Sequence, residues 1–203
     1  LNSKGLSLKL DKNGNLMKPS IAGYQIHHET CYGCGKNNPH GLQADYFFSD
    51  ESGEVRFEYN FPRYFNGAPN FAHGGVISAL MDESMGSLCF HLGLIVMTDT
   101  MSYKFLKATP VEKTLLARAW PIDKEKRKIH LECSLTSLDE SITYVHGSGT
   151  FHILPPRFFL SKLDGGQHFQ GYEQLEVNRI ARAHLFHKIQ ERSPKEKNLN
   201  EKK

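Results

Sequence analysis

The chain has 203 residues, 39% hydrophobic and 23% charged, which is enough for one substantial core, and a formal charge of +3 is too small to argue for nucleic acid as a partner. No apolar run approaches the ~20 residues of a membrane span, and the polar opening stretch LNSKGLSLKLDKNGNLMKPS lacks the apolar core of a secretory signal. With four cysteines, at 31, 34, 89 and 133, the expectation is a soluble cytoplasmic protein with reduced thiols.

Residues 1–20 are rich in Lys, Asn and Gly and are predicted to form a flexible arm. Residues 21–156 have the patterning of one domain, and 157–203 form a C-terminal extension. The lead-in HHETCYGCGKNNPHGL places Cys31 and Cys34 in a C-x-x-C pair, with His27 and His28 just before it. Such a pair supplies two of the four ligands that zinc needs, and no second pair follows. Its Gly and Asn-Pro content reads as a tight structural loop, with metal binding and redox chemistry as the alternatives. No metal ligand and no cofactor is expected.

VRFEYNF alternates Val55, Phe57, Tyr59 and Phe61 with polar neighbours, the period of a half-buried strand. FAHGGVISALMDESMG follows, and the spacing predicts a helix over 74–90. Its Val76, Ile77, Leu80, Met81, Met85 and Leu88 leave little polar surface, so the helix is expected to be buried. DTMSYKFLKA and TLLARAWPI read as strands completing a meander with KIHLECSLTS and ITYVHGSGTFHIL. The connectors DKEKRK and LDES are short enough for antiparallel hairpins. In KIHLECSLTS the apolar parity is Ile129, Leu131, Cys133 and Leu135; in the last strand it is Val145, Phe151 and Ile153. His130, His146 and His152 fall within these strands as surface or packing residues. One helix wrapped by one antiparallel sheet accounts for this order, an α+β fold. In the extension, Leu175, Ile180, Leu185 and Ile189 have helical spacing, and SPKEKNLNEKK is a charged tail.

The helix carries two features that stability does not call for. His73, Gly74 and Gly75 open it with a bare backbone, and Asp82 and Glu83 stand inside its apolar run. The first N–H groups of a helix are unpaired and lie at the positive end of its dipole. Without a Cβ in the way, the Gly74 N–H suits a polarised carbonyl or a developing oxyanion. The alternative is that both glycines allow tight packing against a strand. Asp82 lies about 12 Å further along the axis, so one helix cannot bring both groups to one reacting centre. Two antiparallel copies across a dimer would bring Asp82 of one chain to Gly74 of the other. Alternatively, Asp82 or Glu83 makes a structural hydrogen bond at the dimer seam. Glu83 lies about 100° around the helix from Asp82 and is the competing acid.

FNGAPNFAHGGVISALMDESMG, followed by KFLKATPV, resembles the hotdog-fold acyl-CoA thioesterases, in particular the phenylacetic-acid-type enzymes and the mammalian thioesterase-superfamily enzymes. The family pattern H-G-G, six residues, then an acidic residue fits His73, Gly74, Gly75 and Asp82, and the resemblance spans roughly residues 30–155. It implies a hotdog fold, one antiparallel sheet around a long central helix. It implies an acyl-CoA substrate and a homodimer, possibly a dimer of dimers. Gly74 would donate to the thioester oxygen, and Asp82 would act as general base or nucleophile. Thr98 would position the attacking water. Asn66, His73 and Gly75 would lie at the substrate, and Lys107 would meet a CoA phosphate, with Arg179 and Arg182 as further basic candidates. Glu83 is one position late for the pattern. A non-catalytic acyl-CoA sensor on the same fold is the alternative function, and the short N-terminal arm leaves no room for the DNA-binding module that such regulators carry. A hotdog dehydratase or hydratase would need a catalytic His motif that the sequence lacks.

Overall fold

The run Gly74–His91 forms an 18-residue helix, α1, in a computed structural model that describes residues 30–49 and 52–155 together with Leu175, Arg179 and Leu185. Ile77, Leu80, Met81, Met85, Leu88 and Phe90 of α1 are buried. These positions cover more than one helical face, so α1 is stable only where apolar groups surround it. Its small polar side chains are satisfied locally: the hydroxyls of Ser78, Ser84 and Ser87 donate to the carbonyls of Gly74, Leu80 and Ser84. Among the described residues no helix is long and apolar enough to cross a membrane.

The strands are β1 (Phe47–Ser49), β2 (Glu54–Asn60), β3 (Asn66–Ala68), β4 (Phe71–Ala72), β5 (Val96–Phe105), β6 (Thr114–Lys124), β7 (Lys128–Ser137) and β8 (Thr143–Ile153). Six of them form one sheet in the order β1-β2-β6-β7-β8-β5, with every neighbouring pair antiparallel. One face of this sheet packs on α1: Val55, Phe57, Leu115, Ala117, Ile129, Leu131, Cys133, Val145 and Phe151 are all buried. This is the helix wrapped by one antiparallel sheet that the pattern of elements predicts, and the hotdog arrangement that the resemblance implies. The parity expected for β2 matches the burial along it; the expected β7 residues are buried, as are Ser134, Thr136 and Ser137 at its end, and in β8 Val145 and Phe151 are buried while Ile153 is half-buried.

The expected meander needs correction at β5. The segments β6, β7 and β8 do form consecutive hairpins, but β5 pairs with β8, and β6 pairs with β2. The chain leaves α1 at the far edge of the sheet, lays down β5 there, and returns to the middle for β6. Alternation identifies a strand but not its neighbour. The short strands β1, β3 and β4 were not expected, because two or three residues cannot display a period.

At its C-terminus α1 turns through Gly93, which has φ +75°. The Leu92, Gly93 and Leu94 N–H groups donate to the carbonyls of Leu88, Phe90 and Cys89, closing the last turn around a left-handed residue. A Cβ at Gly93 would lie 2.3 Å from the Cα of Arg179. Leu175, Arg179 and Leu185 are helical, and both leucines are buried in the same core. Arg179 thus rests against the end of α1, and the helical state of Leu175 and Leu185 agrees with their spacing. Ile180, Ile189 and Arg182 lie outside the described residues, as does the arm 1–20. We expect Gly93→Ala to lower stability by about 1–3 kcal/mol, through backbone strain at positive φ and the contact with Arg179. A fall in the melting temperature, set against an equal or higher value for Gly86→Ala, a mid-helix position where a Cβ meets nothing within 4 Å and alanine favours the helix, is the check.

Candidate active site

The site starts from how α1 is entered. The hairpin of β3 and β4 folds back so that Asn66 pairs with Ala72. The His73 N–H donates to the Phe65 carbonyl at 2.8 Å, and the Ala72 N–H to the Thr109 carbonyl at 2.9 Å. A Cβ at Gly67 would lie 2.7 Å from the His73 Cα, so Gly67 lets the hairpin close onto the helix start. With His73 fixed in an extended conformation (φ −67°, ψ 135°) as N-cap, its Nδ1 accepts the Gly75 N–H at 3.0 Å. This sets the ring's tautomer, with any neutral-state proton on Nε2. The next N–H groups, of Val76 and Ile77, turn back to the His73 carbonyl. The Gly74 N–H alone in this turn has no acceptor among the described residues.

The two glycines therefore differ. A Cβ at Gly75 would stand 3.1 Å from His73 Nδ1, so Gly75 serves the cap. A Cβ at Gly74 would find only the ring of Phe105, at 3.7 Å, an ordinary contact. Packing among the described residues does not require glycine at 74.

Asp82 lies two turns on, half-buried between α1 and β5. The Thr98 hydroxyl donates to Asp82 Oδ1 at 3.0 Å. None of the described ion pairs includes Asp82, and its Oδ2 has no partner among the described residues. Burial pushes its carboxyl above the ordinary 3.8, and the Thr98 hydrogen bond opposes that rise. The result is a carboxylate with one oxygen held and one open, easier to protonate than a surface aspartate.

Thr98 reaches Asp82 because β5 is irregular. Its pairing with β8 shifts between Thr98 and Thr100, leaving Asp99 as an extra residue. Thr98 stands opposite buried Phe151, while Tyr103 and Phe105 stand opposite Gly147 and Val145. One even-numbered and two odd-numbered residues therefore share the face toward α1. The bulge is tied down on the outer side, where Asp99 Oδ2 meets Lys128 Nζ at 3.2 Å and His152 Nε2 at 3.4 Å. His130 and His146 likewise face Glu125 and Glu132 on the outer sheet surface, in the packing role expected for them.

Asn66 is exposed beside the helix start, and Lys107 is exposed two residues beyond Phe105, its backbone N–H donating to the Tyr144 carbonyl. Phe105 and Tyr103 were not singled out from the sequence. The Phe105 ring lies on the side of Gly74 where a Cβ would stand, and the Tyr103 hydroxyl reaches the Ser78 carbonyl at 3.3 Å. Their relation to Thr98 is hidden by the bulge. Arg179 sits at the opposite end of α1, against Gly93.

Glu83 points elsewhere. Tyr46 Oη donates to Glu83 Oε1 at 3.0 Å, and Cys31, Cys34 and Glu83 have ligating atoms within 4.8 Å of one another. Glu83 therefore joins the cysteine loop, and Asp82 alone of the pair faces Thr98. His27 and His28 lie outside the described residues.

The geometry so assembled is that of a hotdog fold, and residues 69–143 match the family model described as Thioesterase superfamily. The matched segment contains His73, Gly74, Gly75, Asp82 and Thr98. The chain is similar to the human acyl-coenzyme A thioesterase THEM5, 34% identical over 89 residues that cover 43% of this chain and 36% of the relative. Bovine acyl-coenzyme A thioesterase THEM4 is 30% identical over 93 residues, covering 46% and 38%. The alignments thus span well under half the length of these curated relatives. Among solved structures, a thioesterase superfamily protein aligns with TM-score 0.57 at 22% identity, over 61% of this chain and 60% of its own. The E. coli PaaI protein from the phenylacetic acid degradation operon aligns with TM-score 0.51 at 20% identity, over 55% and 83%. These two likenesses support the hotdog fold.

Because its folded-state pKa is raised, Asp82 favours the fold in its protonated form. Its contribution is fully present below pH 3.8 and is lost as pH rises through the elevated folded value. Asp82→Asn, which keeps an acceptor for Thr98, should therefore be more stable than wild type at neutral pH and equal to it near pH 3. Urea denaturation at the two pH values checks this.

Proposed function

We propose that the chain is an acyl-CoA thioesterase whose two active sites are each shared across a homodimer. The observation that carries this reading is the pair of unsatisfied groups on one helix: the Gly74 N–H, and Asp82 with a single hydroxyl partner. They lie about 12 Å apart along the axis, too far to serve one small centre together. Two antiparallel α1 helices at a two-fold interface would set Gly74 of one chain against Asp82 of its partner. The exposed edge strand β5, with Met97, Met101 and Phe105 uncovered in the single chain, is suited to that interface. The likeness of residues in this segment to named acyl-coenzyme A thioesterases agrees with the substrate class. A cytoplasmic location fits the same reading.

The reaction follows from the groups. The thioester carbonyl oxygen accepts the Gly74 N–H, which is aimed at the charge that develops on it. The Thr98 hydroxyl proton is already given to Asp82 Oδ1, so a water can donate one hydrogen to the Thr98 oxygen and the other to Asp82 Oδ2. As the water oxygen attacks the carbonyl carbon, its proton passes to Asp82. The tetrahedral intermediate then collapses, the C–S bond breaks, and CoA leaves as a thiol carrying that proton. In the nucleophile version, Asp82 Oδ2 attacks instead and water hydrolyses the resulting anhydride. Single-turnover hydrolysis in ¹⁸O-water separates the two, since only the anhydride route can place label in Asp82. Lys107 is the candidate contact to a CoA phosphate, and Asn66 and His73 border the thioester.

Asp82→Ala should lower turnover by about 10²-fold or more, the loss expected for a positioned base. Near-normal hydrolysis with Glu83→Ala inactive would move the role to Glu83. Full acyl-CoA binding without thiol release by wild type would favour the sensor reading.

Thr98→Val keeps the side chain's shape and removes a hydrogen bond to a charged group, which is worth about 1.5–3 kcal/mol. We expect kcat to fall about 10- to 100-fold with KM little changed. The acid limb of the pH–rate profile should also move to higher pH, because the lost bond favoured the ionised carboxylate. A change in KM alone would mean that Thr98 only lines the binding site.

The shared site is tested by mixing two inactive chains. Gly74→Pro removes the donor at a first helical position whose preceding residue, His73, already has the extended conformation that proline requires. Heterodimers with Asp82→Ala would hold one site lacking both groups and one with both restored. They should recover up to about half the wild-type activity. Inactive heterodimers of two well-folded parents would rule out a cross-subunit site.

A further inference from the structure

The loop Cys31-Tyr32-Gly33-Cys34 is unused by the chemistry above, yet it is built against the centre of α1. Its turn is held by the Gly35 N–H donating to the Cys31 carbonyl at 3.0 Å, Leu42 to Tyr32 at 2.7 Å and Ala44 to Gly33 at 2.9 Å. Cys34 is 3% exposed, Cys31 is half-buried, and both thiols meet the Glu83 carboxylate with all three ligating atoms within 4.8 Å of one another. Gly33 is where the turn makes room: a Cβ there would lie 2.0 Å from Glu83 Oε2. Tyr46 Oη donates to Glu83 Oε1, the outer hydrogen bond that orients a ligating carboxylate.

The geometry points to a zinc site formed by Cys31 Sγ, Cys34 Sγ and a Glu83 carboxylate oxygen, with water as fourth ligand on the half-exposed Cys31 side. Tetrahedral zinc, with bonds of about 2.3 Å to sulfur and 2.0–2.2 Å to oxygen, sets its ligands roughly 3.5–3.8 Å apart. The three donors, within 4.8 Å of one another, need close by no more than about 1.3 Å. Two thiolates and one carboxylate select a borderline-soft cation over calcium or magnesium. On binding, each thiol loses its proton to solvent, and three negative charges surround one divalent cation. A Cys31–Cys34 disulfide would account for the sulfurs but gives no reason for the carboxylate or for the space that Gly33 leaves to it. The site revises the expectation of no metal ligand. Its role is to clamp the lead-in loop to α1 one residue from Asp82.

The test is titration of the full chain, reduced and freed of metal with a chelator, with zinc chloride, followed by calorimetry and native mass spectrometry. We expect one zinc per chain, displacement of about two protons and a higher melting temperature. Cobalt(II) in its place should give a thiolate-to-metal charge-transfer band. Cys31→Ser, at the half-exposed position, should lose both signals while remaining folded. Tyr46→Phe should weaken zinc binding about 10- to 100-fold, the usual effect of removing such an outer bond, and Glu83→Gln should weaken it further. Zinc binding no tighter in wild type than in Cys31→Ser would overturn the site. So would an air-stable Cys31–Cys34 disulfide that zinc does not prevent.

Discussion

The half-buried charge of Asp82 is the constraint around which the domain is arranged. A carboxylate inside an apolar helix costs several kcal/mol unless polar groups or water reach it, and among the described residues it receives a single hydrogen bond, from Thr98. No described ion pair neutralises it. Burial makes the carboxylate a stronger base than a surface aspartate, with the Thr98 hydrogen bond opposing that rise, and this is the property that the proposed reaction asks of it. The exposed flank of β5 beside it completes the picture of a site that is open in the single chain.

The two ends of α1 are finished in opposite ways by glycine. At the start, His73 occupies the Gly75 donor and leaves the Gly74 donor outward, so the cap both stabilises the helix and selects which N–H remains available. At the end, Gly93 adopts a left-handed conformation and lets the C-terminal extension approach within backbone contact. Among the described residues, the first glycine leaves its backbone N–H open, and the second brings its backbone against Arg179.

Adjacent acids on α1 divide the helix between two tasks. Asp82 faces β5, and Glu83, about 100° away, faces the Cys31–Cys34 loop and Tyr46. An aspartate and a glutamate in sequence thus need not compete for one role. The rotation of the helix assigns them to separate environments, and anchoring Glu83 also holds the azimuth of Asp82.

Much of this was legible in the residues. The apolar run with too little polar surface dictated a wrapped helix over 74–90, and the alternations in VRFEYNF, KIHLECSLTS and ITYVHGSGTFHIL dictated half-buried strands, because burial imposes a period on any element with one covered face. The 12 Å along a helix between Gly74 and Asp82 likewise follows from spacing alone. Other decisions belonged to the tertiary structure. Strand neighbours were one, since alternation is the same whichever strand lies alongside, and β5 pairs with β8 where a meander was expected. The face of Thr98 was another: a bulge at Asp99 sets it on the same side as Tyr103 and Phe105, which strict period-2 reading separates. The meeting of Glu83 with two cysteines about fifty positions earlier was the third, because a contact between distant segments exists only once the chain has folded and leaves no local pattern to read.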